Sequence, residues 1–448
     1  MKKINRFFTS LKIKFNSLLK NQGFVRYSKN TIWLFIYNIS QMLVSILVGI
    51  WVARYLTPAR YGLLSYSISF VDLFSVFASL GLESIIFREI VKNEENVENI
   101  LGTSFILKSI GAFCMFIPLS ISLLFTKNDL FTNVLIFIIA SATLFQGFNV
   151  ITFYFKAKVL NKYVTIASIV SLIITNIIKI ILILLKSDLI FFAIVIVLNS
   201  IITAFTLIYF FKVKEKINFF KIIRFDKPLA IKLLKDSLII AFSSATVIVQ
   251  AKIDQVMLKE MMNTNEVAYY SIALNLIAFF GFIPTLLKDS LYPAIQNAKK
   301  VSQNLYNERL LNFYRLNFLA FLITAIPIYF LSKFIIVFLY GKEYYPAGEL
   351  LGLMSTRLFF TNMGVARSAY ILTENLLKFS LITMICGTIT NISLNYIWIP
   401  HYGAKGSILA TIVSFFVTTF ALDIFYKKTR GNCLLMFRGI VTFFRIKI

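Results

Sequence analysis

The sequence predicts an all-α polytopic membrane protein of about 12 transmembrane helices. They are arranged as two six-helix pseudo-symmetric lobes around a central cleft. Three observations predict this. Hydrophobic residues make up 58% of the 448-residue chain, with a mean hydropathy of +0.79, far more than a soluble domain of this size can bury. Apolar runs long enough to cross a bilayer as helices recur from residue 31 to residue 426. Basic residues alternate between rich and poor connections, as they do in chains threaded through a membrane.

Six runs lie in the first half, near 31–53, 63–82, 101–125, 131–153, 164–185 and 189–211. Six more lie near 237–258, 267–287, 316–340, 350–372, 379–399 and 404–426. The expected organisation is therefore a basic N-terminal segment (1–30), an N-terminal lobe (31–211), a basic linker (212–236), a C-terminal lobe (237–426) and a basic tail (427–448). The halves read as repeats. Ile174-Thr175-Asn176-Ile177 of the fifth run recurs as Ile389-Thr390-Asn391-Ile392 in the eleventh, and Ser65-Tyr66-Ser67-Ile68 aligns with Ser271-Ile272-Ala273-Leu274. Six runs per half give both halves one orientation, related by an axis along the membrane normal.

The formal net charge is +26. On a soluble protein such an excess points to nucleic acid, but its placement here says otherwise. With the N-terminus inside, the inner segments hold 33 basic residues and the outer connections 7. That asymmetry puts both termini in the cytoplasm and excludes a nucleic-acid partner. Residues 1–30 carry eight basic residues and no acid, interleaved with apolar ones such as Phe7, Leu11 and Phe15. They read as an interfacial amphipathic helix on an anionic leaflet, or as a basic tail. No cleavable signal is visible, so the first span is expected to act as the insertion signal. Cys114, Cys386 and Cys433 have no redox or metal spacing, and His401 is the single histidine. Disulfide frameworks, His-based metal centres and most acid–base catalytic sets are excluded, and no catalytic residue or cofactor is expected.

The candidate functional residues are the charges inside the membrane, where each costs several kcal/mol unless paired or hydrated. Lys108 and Arg367 fall in the cytoplasmic half, Lys179, Lys252 and Arg357 in the outer half, and Arg88 marks the inner end of the second span. These cations are read as lining the cleft, where they suit a phosphate-bearing headgroup, Arg by a bidentate fork and Lys as a point charge. Lys252 and Asp254 stand equally as a local ion pair near the outer mouth, and Arg357 could reach outer headgroups. Lys333, among Phe and Ile, reads as a snorkelling residue. Asp72, Glu83 and Asp254 are taken as the only carboxylates in or near spans, available to a coupling proton or sodium ion or to an ion pair.

Several stretches resemble the polysaccharide repeat-unit (O-antigen-type) flippases of the multidrug/oligosaccharidyl-lipid/polysaccharide exporter superfamily. They are Ala53-Arg54-Tyr55-Leu56-Thr57-Pro58 with Tyr61-Gly62, Lys252-Ile253-Asp254-Gln255-Val256-Met257-Leu258 with Tyr270-Ser271-Ile272-Ala273, and Tyr340-Gly341-Lys342-Glu343-Tyr344 with Pro346-Ala347. Later come Asn391 through Asn395, Ile399-Pro400, Tyr402-Gly403-Ala404 and Ala410-Thr411. The resemblance implies a two-lobed transporter, not an enzyme. It implies movement of undecaprenyl-diphosphate-linked oligosaccharide from the cytoplasmic to the outer leaflet by alternating access, for O-antigen, lipopolysaccharide or other surface polysaccharide. A bacterial inner-membrane location and contact with other polysaccharide-assembly membrane proteins follow from the same likeness.

Two rivals are weighed against it. A drug or metabolite exporter of the same superfamily would be expected to line its cavity with acids, whereas cations dominate here. A membrane glycan polymerase or ligase would be expected to carry a large outer loop, and the outer connections are short. On the cation-cleft reading, Lys179→Ala, Lys252→Ala or Arg367→Ala lowers glycan export at unchanged protein level. Full export in all three would remove that mechanism.

Overall fold

The computed structural model describes residues 22–446, with side chains from residue 41. The predicted N-terminal amphipathic segment therefore lies mostly outside the described residues. The described chain is helical, with no strand. In order the helices are α1 (Gln22–Ser79), α2 (Glu83–Lys92), α3 (Val97–Cys114), α4 (Phe116–Leu123) and α5 (Leu130–Ser141). A 3₁₀ segment (Ala142–Asn149) leads into α6 (Val150–Ala157), followed by α7 (Asn161–Leu184), α8 (Leu189–Glu215) and α9 (Lys227–Met261). Then come α10 (Thr264–Phe280), α11 (Phe282–Val301), α12 (Gln303–Tyr340), α13 (Tyr345–Ser355), α14 (Arg357–Thr373), α15 (Leu377–Phe416), α16 (Leu422–Phe425) and α17 (Lys427–Val441).

Nine described helical stretches are long and apolar enough to cross a membrane, against the twelve spans counted in the sequence. Two of them, Gln41–Lys92 and Leu377–Phe425, each cover two of the counted spans. A third counted span, near 350–372, is split at Thr356 between α13 and α14, neither of which qualifies alone. The long helices are broken where the motifs lie. An unbroken α1 of 58 residues would run about 87 Å, nearly three times the hydrocarbon thickness. It bends at Thr57 (φ 63°, ψ 164°), whose extended ψ is what the following Pro58 imposes on its neighbour, while the positive φ is strained for a β-branched residue. α15 breaks at Gly403 (φ 55°, ψ −137°), a region open in practice to glycine. There the Ala404 amide donates to Glu266 Oε2 at 2.8 Å, closing the break against the start of α10.

Two compact units divide the chain, and neither is a simple half of the sequence. The first comprises residues up to Val48, Phe74–Ser122 and Phe137–Ala241. Its core gathers Leu82, Ile86, Leu101, Phe155, Phe211 and Leu233. The basic connection 212–236 joins this core: Phe219 is fully buried, 5.4 Å edge-on to Phe105 and 5.6 Å from Phe211. The Lys residues of that stretch mask an apolar anchor in the sequence.

The second unit comprises Gly49–Leu73, Leu123–Ile136 and Phe242 onward. Tyr306, Leu310, Phe313, Met363, Phe420 and Met436 form a core around α12, α14 and α17. The basic tail is thus a packed helix: Tyr314 donates to Asn432 Oδ1 at 2.6 Å, both side chains buried. Outside, Phe330, Phe334 and Phe338 of α12 are 78%, 68% and 68% exposed. At i, i+4 and i+8 they make one apolar stripe, a surface suited to lipid.

Gly403→Val is expected to lower the stability of the solubilised protein by roughly 1–3 kcal/mol. The backbone there suits glycine, and a Cβ would meet Glu266 Oε2 at 2.8 Å. The melting temperature in detergent checks it.

Candidate functional site

α9 carries its chemistry inside and its oil outside. Leu238, Ile239, Phe242 and Val247 are exposed, while Asp254 and Gln255 are 2% and 5% exposed. This inversion is what a helix in lipid requires: apolar residues face chains, and polar residues must find partners within the bundle.

Asp254 finds three. Asn395 Nδ2 donates to its Oδ1 at 2.6 Å, Thr411 Oγ1 to its Oδ2 at 2.8 Å, and the Tyr270 hydroxyl also to Oδ2. These partners come from α15 on both sides of Gly403 and from α10, so the break at Gly403 lets one helix offer two faces to the carboxylate. Asn391 extends the cluster: its Nδ2 donates to Thr411 Oγ1 and its Oδ1 accepts from Asn395, each at 3.3 Å. Beside them Asn395 Oδ1 and Ser407 Oγ are buried with no hydrogen-bond partner among the described residues. The cluster is therefore rich in oxygen acceptors around one carboxylate, with no cationic side chain within ion-pair distance of it among the described residues. Gln255, one position on, donates to Ser271 Oγ at 2.9 Å and accepts from Ser69.

The Lys252–Asp254 ion pair left open by the sequence does not form. Residues two apart on a helix point about 200° apart. Lys252 instead meets Asp72 Oδ2 at 2.9 Å, both groups about one-third exposed. About two turns further on, the Tyr66 hydroxyl donates to Glu260 at 2.8 Å and accepts from Asn128 at 3.0 Å. Lys259 lies over the Tyr66 ring at 4.9 Å and bonds Glu260 and Asn128. Tyr344 donates to the Ala53 carbonyl at 2.6 Å. Within the second unit, then, α1 between Ala53 and Asp72 and the loop at Asn128 are tied by polar contacts to residues of the second half of the sequence.

The other predicted residues are placed as follows. Arg367 is buried and its fork is filled: Nε and Nη2 donate to Asp423 at 2.8 and 2.6 Å. Asp423, fully buried, corrects the expectation that Asp72, Glu83 and Asp254 were the only carboxylates in or near spans. It lies three residues before the end of the last apolar run, where it reads as interfacial. Lys108 is 1% exposed, 4.0 Å from Glu83 and 5.4 Å above the Phe153 ring. Arg88 bonds Asp236 and Glu89, and Lys232 bonds Glu89 at 2.7 Å. Lys333 meets Glu349 at 3.3 Å. Arg357 lies over Phe415 at 5.0 Å. Lys179, half-buried, makes no ion pair or hydrogen bond among the described residues. Lys108, Lys179, Arg88 and Glu83 belong to the first unit, and Lys252, Arg357, Arg367, Asp72 and Asp254 to the second. No group of three or more His, Cys, Asp or Glu able to hold a metal occurs among the described residues.

Sequence reading singled out Asp254 but not the partners that make it a site. Asn391, Asn395 and Thr411 stand in stretches that carried the family resemblance, and the buried amides at i, i+4 are the signal that could have found them. The repeat is also unequal: Asn176, aligned with Asn391, turns its Nδ2 back to the Leu172 carbonyl at 2.7 Å.

The described chain is a multi-pass helical fold whose buried carboxylates, amides and cations sit inside apolar helices. Solved structures agree on the fold. The inward closed conformation of the lipid II flippase MurJ matches with a TM-score of 0.68 at 18% identity, over 93% of this chain and 91% of that one. An inward-facing multidrug resistance MATE family transporter of the MOP superfamily matches at 0.65 and 16% identity, covering 89% of this chain and 96% of that one. A MOP superfamily transporter from Pyrococcus furiosus, described as having a binding pocket of reverse polarity, matches at 0.57 and 15% identity, covering 92% and 94%. No curated protein sequence matches the chain. The profile of the polysaccharide biosynthesis protein family matches residues 27–299, and the chain belongs to that family. It is a multi-pass membrane protein with the flippase and transporter fold of the MOP superfamily, and its solved relatives are transporters rather than enzymes.

Two expectations follow from the ion pairs. Lys252→Asp lowers transport about tenfold, and the exchanged pair Lys252→Asp with Asp72→Lys restores most of it in a glycan-export assay. Arg367→Ala lowers protein abundance by leaving Asp423 buried and unpaired, a loss of roughly 3–5 kcal/mol, in place of the export defect at normal abundance read from the sequence.

Proposed function

We propose that the protein moves an undecaprenyl-diphosphate-linked oligosaccharide repeat unit from the cytoplasmic to the outer leaflet of a bacterial inner membrane, for O-antigen or another surface polysaccharide. The carrying observation is that two intramembrane cations keep no carboxylate. Lys179 and Arg357 make no ion pair among the described residues. An isolated ammonium or guanidinium within an apolar helix is costly, and a phosphate-bearing headgroup supplies the countercharge to either one, by a bidentate fork on Arg or as a point contact on Lys. Family membership and the fold shared with a lipid flippase support the same reading. The basic inner connections support cytoplasmic termini.

Asp254 is the coupling group in this reading. A buried carboxylate held only by neutral donors, with no cationic side chain at ion-pair distance, leaves its charge for a small cation to balance. The Asn391, Asn395 and Thr411 oxygens fit a sodium ion, a hard cation that takes oxygen ligands. Outward movement of an anion is also favoured by an inside-negative potential, about 2.3 kcal/mol per charge per 100 mV. The cycle runs by alternating access, the polar contacts of Tyr66, Asp72 and Asn128 closing and opening in turn.

Deleting the gene should leave complete repeat units on undecaprenyl diphosphate at the cytoplasmic face. Single units reaching the outer leaflet unpolymerised would indicate an enzyme, and unchanged glycan with new sensitivity to toxic cations a drug exporter. Asp254→Asn in the restored strain should insert normally and lose the dependence of export on pH or sodium. Retained dependence would remove Asp254 as the coupling group.

A further inference from the structure

The first unit contains a pocket of opposite character to the cation sites. It has a volume of about 280 Å³, and no ionisable side chain lines it. Gln146 and Asn149 come from the 3₁₀ segment, Ser168 from α7, Asn199 and Ser200 from α8, and Phe145 forms part of the wall. All these residues lie in stretches apolar enough to cross a membrane, where unpaired amides are expensive.

The backbone is built to present them. A 3₁₀ run of eight residues is unusual, such runs seldom passing four. Its three-residue turn brings side chains at i and i+3 into register, so Gln146 and Asn149 stack on one face. Gly147 takes the opposite role: a Cβ there would stand 2.8 Å from Ser109 Oγ, so the segment presses closely on α3. The two amides make no hydrogen bond among the described residues. Asn199 is fixed: its Oδ1 accepts from Ser171 at 3.0 Å, which leaves Nδ2 as a donor. Thr203 donates to the Asn199 carbonyl at 2.8 Å, which leaves its oxygen as an acceptor.

We infer that this pocket binds a sugar ring of the transported lipid-linked glycan, an inference that rests on the flippase reading. Amides offer a donor and an acceptor on one side chain, matching hydroxyls that do both. An anion would need Lys or Arg here and a cationic amphiphile an acid, and the lining has neither. Phe145 gives the apolar face of a ring a surface to lie on. The volume, at the small end of ligand sites, suits one ring rather than a whole repeat unit.

The test uses full-length protein in nanodiscs and two probes: undecaprenyl diphosphate bearing the host's repeat unit, and undecaprenyl diphosphate without sugar. Wild type should bind the first about tenfold more tightly. Gln146→Ala with Asn149→Ala should abolish that preference while bare-lipid affinity is unchanged, which also reports an intact fold. Ser200→Ala, a smaller change, should reduce the preference in the same direction. A preference that survives in these variants overturns the sugar site and leaves the flippase reading standing. Failure of wild type to bind either lipid overturns both.

Discussion

The burial of Asp254 is the constraint from which much of the second unit follows. A carboxylate in an apolar helix is stable only if its oxygens are satisfied from neighbouring helices. Tyr270, Asn395 and Thr411 do this, and their convergence fixes how α9, α10 and both parts of α15 pack. The break at Gly403 belongs to the same arrangement. Without it, Asn395 and Thr411 would lie on one continuous helix about 24 Å apart along its axis, too far to share a carboxylate.

Among the described residues Arg367 is matched by Asp423 in a buried pair, while Lys252 with Asp72, and Arg88 and Lys232 with Glu89 and Asp236, pair at partly exposed positions. The buried pair answers desolvation more than it adds stability, since it recovers little beyond what it lost leaving water, and the exposed ones add little. Their use is geometric: they fix which helices meet. Lys179 and Arg357 are left without a carboxylate among the described residues, and the proposed transport role rests on them, whereas Arg367 is taken up by Asp423.

The two units hold polar clusters of different kind. The second unit holds a carboxylate among amides and hydroxyls, suited to a small cation. The first holds an uncharged amide pocket beside a 3₁₀ distortion, suited to hydroxyl groups. A substrate with a diphosphate, sugars and a long apolar tail presents all the chemistries such a protein would need to recognise: anion, hydroxyl and hydrocarbon. The exposed Phe stripe on α12 and the apolar outer face of α9 provide the hydrocarbon boundary.

Composition, apolar run length and the placement of Lys and Arg determined that this chain is a helical membrane protein, because a bilayer imposes those properties on any sequence that crosses it. The motif stretches pointed to the family, and some of their residues mark structure: Thr57-Pro58 and Gly403 are where helices break. Asp254 as a candidate was also legible, since an acid in an apolar run is conspicuous. Its partners were not, because Asn395 and Thr411 lie 141 and 157 positions away in the chain and no local period links them. The same limit hid Asp423, which looks like an end-of-helix residue until Arg367 is placed against it. It also hid the anchoring of Phe219, an aromatic ring among lysines whose burial depends on helices more than a hundred residues upstream. Patterning is local, and hydrophobic solvation reads it directly. Which polar group answers which is decided only when helices distant in sequence come within hydrogen-bond reach.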